Sequence, residues 1–361
     1  MLTTLLTNLD KILTFVLTLG FLVFFHELGH FAVAKLFKVP VFEFAFGLPF
    51  GKKFLLFKRG GTEYTIRPVV PLGGFVAFAD PEAEPETQLA QMEEYNSKPI
   101  WQRFLVIAAG PAASLLLGFL LYVATGALLG VPDENARPIL RQVAAGKPAE
   151  KAGLKVGDEI LSVDGQTRNV EGLIAAISAS PGKAMTFVVK RKDSSAPLTV
   201  TVTPREELDA GKKVGRIGIG PGSDSRPMKD IGEAFRFGAD ATIGNLKAFR
   251  QIFSSFKQVK DNIGGPVGIA GAVSQATETG FWAKLGLAAS LSVSLFVFNC
   301  FVPIPALDCG QMVLLIVEAI RRKRLSNEQQ SRVMIASWAV LLTFFVVVTF
   351  NDIRKLIPGQ H

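Results

Sequence analysis

The 361-residue chain has few cysteines, few histidines and little charge. Its two cysteines, Cys300 and Cys309, lie in one apolar stretch, so no disulfide framework is predicted. Its three histidines, His26, His30 and His361, leave few ways to build a metal site from imidazoles. Charged residues make up 19% of the chain, against about 25% in an average soluble domain, and hydrophobic residues make up 49%. This composition excludes an ordinary soluble domain and favours a membrane protein.

Four apolar segments are long enough to cross, or nearly cross, a bilayer, which takes about 20 residues. They are residues 12–37, 104–131, 285–317 and 333–350. The first could be mistaken for a secretory signal, but it has no small-residue cleavage site and its apolar run continues past two histidines. We therefore expect it to remain as a membrane helix.

The excess of basic over acidic residues, 39 against 31, is better explained by membrane orientation than by nucleic-acid binding. Residues 321–324 (RRKR) lie in the short connection between the third and fourth segments, and short basic loops stay in the cytoplasm. Four crossings then place both termini and residues 132–284 outside the cytoplasm, and residues 38–100 inside it. No nucleic-acid partner is expected.

A soluble insert is predicted between the second and third segments, where the composition changes near Asp133. Residues 152–166 (AGLKVGDEILSVDGQ) combine a helix end, a glycine turn, an alternating strand and an Asp-Gly hairpin signal. Residues 171–179 have helical spacing, and alternating strands are predicted at 185–191 and 198–203. The insert is therefore expected to be a compact α/β module.

Two further stretches have readable patterns. Residues 60–67 and 71–78 are rich in aromatic and β-branched side chains bounded by Gly and Pro, which predicts short strands and a hairpin. Residues 231–259 predict a helix with a broad apolar side, and two positions are open for it. It lies in the interface plane of the membrane, or it docks on the transmembrane helices.

The stretch FFHELGHFAVAKLF, residues 24–37, places the ionisable side chains of His26, Glu27 and His30 in a lipid-facing helix pattern. Residues four apart lie on one helix face, so His26 and His30 can bind one metal ion while Glu27 projects beside them. A catalytic zinc site takes three protein ligands and keeps a fourth position for water, so one ligand is missing from this motif. That ligand is expected to be a carboxylate or a thiolate.

Asp308 is the one acid within the third segment, residues 285–317, and residues 104–131 of the second contain none. Pro303 and Pro305 break the helix before it, and broken helices are tolerated in a membrane where protein or a water-filled cavity covers the backbone. We therefore predict Asp308 as the third ligand. Cys300 and Cys309 are mainly interpreted as small buried hydrophobes, with metal ligation as the alternative.

The free-energy cost of placing His26, Glu27, His30 and Asp308 in a membrane indicates that they have a function. A charged group at mid-bilayer costs about 2.5–3.5 kcal/mol, so such residues usually have partners and a role. Glu27, which the motif leaves free of the metal, would take a proton from the attacking water and pass it to the leaving amide nitrogen.

These stretches resemble the site-2 protease family, zinc metalloproteases that cut transmembrane segments, and most of all its bacterial regulator-of-sigma-E protease type. The resemblance runs through nearly the whole chain. It rests on HELGH at 26–30, PLGGFV at 71–76, AGPAA at 109–113, the insert at 138–203, IGGPVGIA at 263–270 and PIPALD at 303–308. It implies zinc on His26, His30 and Asp308, and Glu27 as catalytic base.

The resemblance also implies that the insert is a single PDZ domain and that the PLGG segment is a membrane-re-entrant β-hairpin. That hairpin would pair with an extended substrate strand through β-augmentation and hold the substrate helix unwound. The substrate-binding residues would be Pro71, Leu72, Gly73, Gly74 and Phe75.

Two positions depart from the family pattern. The family usually has Asn three residues before the first proline, but here Cys300 occupies that place and Asn299 lies one residue earlier, while Cys309 replaces the Gly after the Asp. A shift of one residue turns a helical side chain by about 100°. We predict that Asn299 still contacts substrate or the developing oxyanion.

The fold class expected is a polytopic α-helical membrane protein with four transmembrane helices, a re-entrant β-hairpin and one extracytoplasmic α/β PDZ domain. The transmembrane helices are predicted at 5–37, 101–131, 281–319 and 333–351. The regions between them are a cytoplasmic-side region at 38–100, the PDZ domain at 132–222, an amphipathic helix and connector at 223–280 and a basic cytoplasmic loop at 320–332.

Two functions compete. The first is a zinc-dependent intramembrane endopeptidase in the bacterial inner membrane, acting on single-span proteins such as anti-sigma factors or remnant signal peptides. Its partners would be membrane lipid and an upstream site-1-type protease that trims the same substrate. The second is a non-catalytic PDZ-bearing scaffold with a structural metal site, and a metal transporter is a weaker third. An open zinc position and the free acid Glu27 favour the enzyme.

Overall fold

The computed structural model describes residues 2–47, 51–68, 73–133, 135–194, 196–209, 212–222, 224–253, 266–279 and 281–356. The chain divides into two compact units. The first comprises Met1–Thr125 and Phe235–His361, and the second comprises Gly126–Ala234.

The first unit is built mainly from helices, and four of these are long and apolar enough to cross a membrane: Leu9–Leu36, Ile100–Leu129, Ala283–Phe301 and Glu328–Phe350. The helices with residues in this unit are α1 (Leu2–Leu36), α2 (Pro85–Ser97), α3 (Ile100–Leu129), α6 (Ile231–Phe253), α7 (Pro266–Thr279), α8 (Phe281–Phe301), α9 (Asp308–Arg321) and α10 (Asn327–Leu356).

The third apolar segment forms two helices because α8 ends at Phe301 and α9 begins at Asp308. Pro303 and Pro305 lie between them, and proline cannot donate the backbone hydrogen bond that would continue a helix. The turn is tight enough that a Cβ added at Gly310 would overlap the Ile304 carbonyl. Asp308 thereby lies in the first turn of a short helix.

Helix α6 docks on the long apolar helices α3 and α8. A Cβ added at Gly238 would overlap the Val123 side chain of α3, so the two helices approach closely. The Asn245 amide donates to Tyr122 of α3 and to Ser290 of α8, both at 2.9 Å. Of the two positions left open by the sequence, these contacts favour docking.

A four-stranded sheet lies beside α1 in the order β2-β3-β1-β4. Its strands are β1 (Glu43–Phe46), β2 (Phe54–Arg59), β3 (Thr62–Ile66) and β4 (Gly74–Ala77). The two strands expected in residues 60–67 and 71–78 are β3 and β4, but they do not pair with each other: β3 forms a hairpin with β2, and β4 pairs antiparallel with the more distant β1 and forms an edge of the sheet. The Phe24 ring of α1 lies 5.8 Å from the Phe44 ring and 5.2 Å from the Phe46 ring, so β1 runs alongside the HELGH turns.

The second unit has a five-stranded sheet in the order β12-β6-β7-β8-β9. Its strands and helices are β5 (Val131–Pro132), β6 (Ile139–Val143), α4 (Pro148–Lys151), β7 (Glu159–Val163), α5 (Val170–Ser178), β8 (Met185–Lys190), β9 (Leu198–Val202), β10 (Arg205–Asp209), β11 (Lys212–Arg216), β12 (Ile219–Gly222) and β13 (Ser225–Arg226). Buried apolar side chains from β7, α5 and β8 form its core, among them Ile160, Leu173 and Phe187.

The Asp-Gly signal in this unit forms a tight turn but not a two-stranded hairpin. Asp164 and Gly165 both have positive φ, as a type I′ turn requires, and Val163 bridges to Gln166. The chain then leaves the sheet because Asn169 caps α5 by accepting from the Gly172 N–H at 2.9 Å. The hairpin expected there is therefore wrong beyond the turn itself.

A buried ion pair in this unit gives its stability a defined pH dependence. Asp158 is fully buried, its carboxylate accepts from Arg191 Nε and Nη2 at 2.8 Å each, and it also accepts from the Lys155 N–H at 2.9 Å. Burial raises the pKa of the Asp158 carboxyl, but these hydrogen bonds lower it more, and the net pKa lies below its ordinary value. Such a group contributes stability above its unfolded pKa of about 3.9 and loses it as the pH falls through the folded pKa.

Asp158→Asn is therefore expected to destabilise the second unit at neutral pH by about 2 kcal/mol, because Arg191 loses a charged acceptor. The difference from wild type should shrink below about pH 4. Hydrogen exchange of the β7 and β8 amides in urea, measured on the full chain in detergent, reports this unit. Glu159→Gln, which removes a partly exposed pair with Arg137 at 3.7 Å, serves as the control. Equal destabilisation at both pH values would contradict the assignment.

Candidate metal centre

Helix α1 and the first turn of α9 bring three potential ligands together. His26 and His30, one turn apart and both buried, have their Nε2 atoms 3.4 Å from each other. Asp308 Oδ2 lies 3.0 Å from His26 Nε2, and Asp308 Oδ1 lies 3.5 Å from His30 Nε2. Tetrahedral zinc with bonds of about 2.0–2.1 Å separates its ligand atoms by about 3.3 Å. The spacing of the three side chains thus suits one zinc ion.

Helix α3 orients both imidazoles through contacts at their Nδ1 atoms, on the side of each ring away from Asp308. The Val106 carbonyl lies 2.8 Å from His30 Nδ1, and because a carbonyl can only accept, Nδ1 carries a proton, which in the neutral ring leaves the lone pair on Nε2. Ser114 Oγ lies 2.9 Å from His26 Nδ1. Partners of this kind fix ring orientation in metal sites.

The nitrogen and oxygen atoms that His26, His30 and Asp308 turn toward one another fit a bound cation. In the neutral ring the Nε2 lone pair of His30 faces the carboxylate of Asp308, 3.5 Å away, and a cation between these two acceptors would satisfy both. Asp308 Oδ2 is buried and accepts no hydrogen bond from the described part of the chain. Two imidazole nitrogens and a carboxylate oxygen are an ordinary donor set for catalytic zinc. The residues present therefore fit the metal.

Small residues allow α1 and α3 to approach closely enough for these contacts. A Cβ added at Gly29, within HELGH, would overlap the Ala109 carbonyl, and one added at Gly110, within AGPAA, would overlap the His30 ring. Neither glycine binds the metal, but both make room for the residues that would. The two motifs are thus parts of one packing arrangement.

Glu27 is half-buried and lies near the metal ligands without joining them. It interacts electrostatically with His26, His30 and Asp308. Its Cγ lies so close to strand β4 that a Cβ added at Gly74 would approach it to 3.1 Å. The carboxylate is therefore placed between the three ligands and the edge of the sheet.

The other residues predicted for the site do not contact the three ligands in the same way. The Asn299 amide donates to the Leu295 carbonyl one turn earlier at 3.0 Å, so it is engaged within its own helix. Within the described ranges, the group able to hold a metal consists of His26, His30 and Asp308, and neither cysteine belongs to it. Pro71 and Leu72 lie outside the described residues.

Sequence reasoning did not identify the supporting residues, of which Ser114 is the clearest. A signal for it existed, because Ser114, directly after AGPAA, is the one polar side chain between Phe104 and Leu121. It is fully buried, and its own carbonyl accepts from Ser292 Oγ of α8 at 2.7 Å. It therefore links α1, α3 and α8.

Ser114→Ala is expected to weaken zinc binding about 10-fold, because His26 loses the partner that orients its ring. Competition with a chromophoric chelator measures the affinity on purified protein. Ser294→Ala is the matched control, since the Ser294 hydroxyl donates only to the Ser290 carbonyl of its own helix at 2.8 Å. If both variants bind zinc as wild type does, Ser114 does not support the site.

Comparison with known proteins gives a consistent result. The model of peptidase family M50 matches residues 14–344. The regulator of sigma-W protease RasP of Bacillus subtilis is 32% identical over 96% of this chain and 99% of its own. The zinc metalloprotease RasP of Geobacillus kaustophilus is 28% identical over the same shares. A solved PDZ domain of the SdrC-like protein from Listeria monocytogenes is 22% identical and covers 25% of this chain and 93% of its own, with a TM-score of 0.21, too low to show a shared fold.

The expectation of a zinc metalloprotease, drawn from the motifs, agrees with this outcome. The family match extends over nearly the whole chain, and both relatives are matched over almost their full length. The chain therefore belongs to peptidase family M50, the site-2 protease family, and is a zinc-dependent metalloendopeptidase.

Proposed function

We propose that this protein hydrolyses peptide bonds within the transmembrane segments of single-span membrane proteins. One observation carries the proposal: His26 and His30 lie on a helix apolar enough to cross a membrane, and Asp308, which begins the short helix after another such helix, converges on them, with Glu27 beside them. A reaction centre at that depth is useful only for a substrate in the same place. Family membership decides against the non-catalytic scaffold.

His26, His30 and Asp308 hold zinc, which when bound polarises the scissile carbonyl and makes the attacking water more acidic. Glu27 accepts the proton of that water and delivers it to the amide nitrogen that leaves. Ser114 and the Val106 carbonyl hold the imidazoles with Nε2 inward. Asn299 is proposed to contact the substrate or the developing oxyanion once its helix end adjusts.

Strand β4 is proposed to hold the substrate in extended form. Peptide groups of a helix are occupied by internal hydrogen bonds, so the substrate must unwind before hydrolysis. Gly47 N–H donates to the Gly73 carbonyl at 2.9 Å, and since backbone groups alternate along a strand, those of Gly74 and Val76 point away from β1. Within the described strands they form an unpaired edge next to Glu27, and this edge is suited to β-augmentation, in which a substrate strand pairs with the Gly73–Phe75 region.

The sheet is further proposed to re-enter the membrane. Phe31 of α1 lies 5.2 Å from Phe44 of β1, and Phe24 lies near Phe46, so the sheet covers the turns of α1 that carry the ligands. Strand β2 exposes Phe54, Leu55, Leu56 and Phe57, which would be unfavourable in water and favourable in lipid.

The substrates are proposed to be anti-sigma factors or remnant signal peptides in the bacterial inner membrane. One relative is named a regulator of sigma-W protease, which supports the first class. The second unit, taken as the extracytoplasmic PDZ domain, would exclude substrates with large exported domains until a site-1-type protease has trimmed them.

Glu27→Gln is expected to lower cleavage of a tagged, trimmed single-span substrate about 100-fold or more, because the amide cannot accept the proton. The assay uses purified protein in detergent at equal zinc content. Glu328→Gln is the control, since Glu328 is exposed and, within the described part of the chain, pairs with Arg332 on the same helix. Equal cleavage by wild type and Glu27→Gln would refute the role of Glu27.

Val76→Pro is expected to lower kcat/KM for the same substrate about 5- to 10-fold, because it removes one edge donor worth about 1 kcal/mol. Val76→Ala keeps the N–H and should retain activity. Zinc content is measured alongside to show that the centre is intact. If the proline variant cleaves as well as the alanine variant, the substrate does not pair with this edge.

A further inference from the structure

We propose that Arg103 and Glu318 are positioning residues that hold Asp308 in register with His26 and His30. The inference rests on the ligand set proposed above. Neither residue belongs to the HELGH, AGPAA or PIPALD motifs, so sequence analysis did not identify them. Neither is a proposed metal ligand or the proposed base.

Arg103 is buried, Glu318 is largely covered, and both side chains are engaged in the pair. Arg103 is 3% exposed, and its two terminal nitrogens donate to the two carboxylate oxygens of Glu318 at 2.6 and 3.1 Å. Its remaining Nε donates to the Lys98 carbonyl at 3.1 Å. A guanidinium held in this forked way fixes both distance and angle between the elements it joins.

Arg103 lies on the face of α3 that supports the histidines. Val106, Gly110 and Ser114 follow it at spacings of three, four and four residues, which keeps all four on one side of the helix. Val106 and Ser114 bond to the two imidazoles, and Gly110 makes room for one of them. The same face of one helix therefore orients two ligands and anchors Glu318.

Glu318 lies on α9, the short helix that begins at the third ligand. Ten residues separate Asp308 from Glu318, or about 15 Å along the helix axis. At the Asp308 end the helix follows the proline break, so no continuous helix fixes its rotation or its depth. The ion pair with Arg103 ties its other end to α3, and a rigid helix transmits that constraint to Asp308.

A second arginine provides the internal control. Arg324 Nε also donates to Glu318 Oε1, at 3.1 Å, but Arg324 is partly exposed and lies in the basic loop after α9 rather than on α3. Removing it leaves the bond between α3 and α9 in place. If only the charge on Glu318 mattered, loss of either arginine would have similar effects.

The test compares Arg103→Lys, Glu318→Gln and Arg324→Met with wild type in the full chain in detergent. Zinc affinity is measured by chelator competition, coordination geometry by the visible absorption of the Co²⁺-loaded protein, and folding by the melting temperature without metal. We expect Arg103→Lys and Glu318→Gln to bind zinc about 10-fold more weakly and to alter the Co²⁺ spectrum. Arg324→Met should match wild type in both.

The outcomes separate the possible failures. A lower melting temperature with unchanged zinc affinity and Co²⁺ spectrum in both pair variants would make the pair merely structural and overturn the inference. Equal loss in Arg324→Met would also overturn it, because the effect would then not depend on the link to α3. His26→Ala is included as well. If it binds zinc as tightly as wild type, the proposed ligand set itself fails.

Discussion

The close approach of α1 and α3 is the constraint on which the rest of the centre depends. Helices in a membrane gain little from hydrophobic burial against each other, so they associate through close packing and polar contacts. Gly29 and Gly110 lie at that crossing, and an added Cβ on either would meet the Ala109 carbonyl or the His30 ring. Only at this distance can Val106 and Ser114 reach the two imidazoles.

Away from the crossing, polar side chains of the helices also need partners, because a membrane offers little water to bond to them. Asn245 bonds to Tyr122 and Ser290, and Ser292 bonds to the Ser114 carbonyl, so polar groups at depth are paired across helices. Each such bond joins a different pair of elements and limits their sliding. The positions of the proposed ligands and of Glu27 are thus fixed by residues that do not contact a substrate.

The sequence allowed prediction of the parts that depend on spacing or scarcity. The four-residue spacing of His26 and His30 and the lone acid Asp308 sufficed to predict three side chains that the structure places together. Contacts between distant segments could not be read in this way. The docking of α6, the pairing of β4 with β1 and the bonding of Arg103 to Glu318 each depend on tertiary packing, to which periodicity within one segment is blind.

Charge balance explains why the centre has these ligands and these supports. Zinc brings two positive charges into a site removed from water, and isolated charge is costly there. Ionised carboxylates of Asp308 and Glu27 would bring two negative charges, so with neutral histidines the formal sum would be zero. Carboxylates behind the histidines, which many zinc sites use, would add negative charge that nothing here offsets. Neutral partners, the Ser114 hydroxyl and the Val106 carbonyl, orient the rings without disturbing that balance.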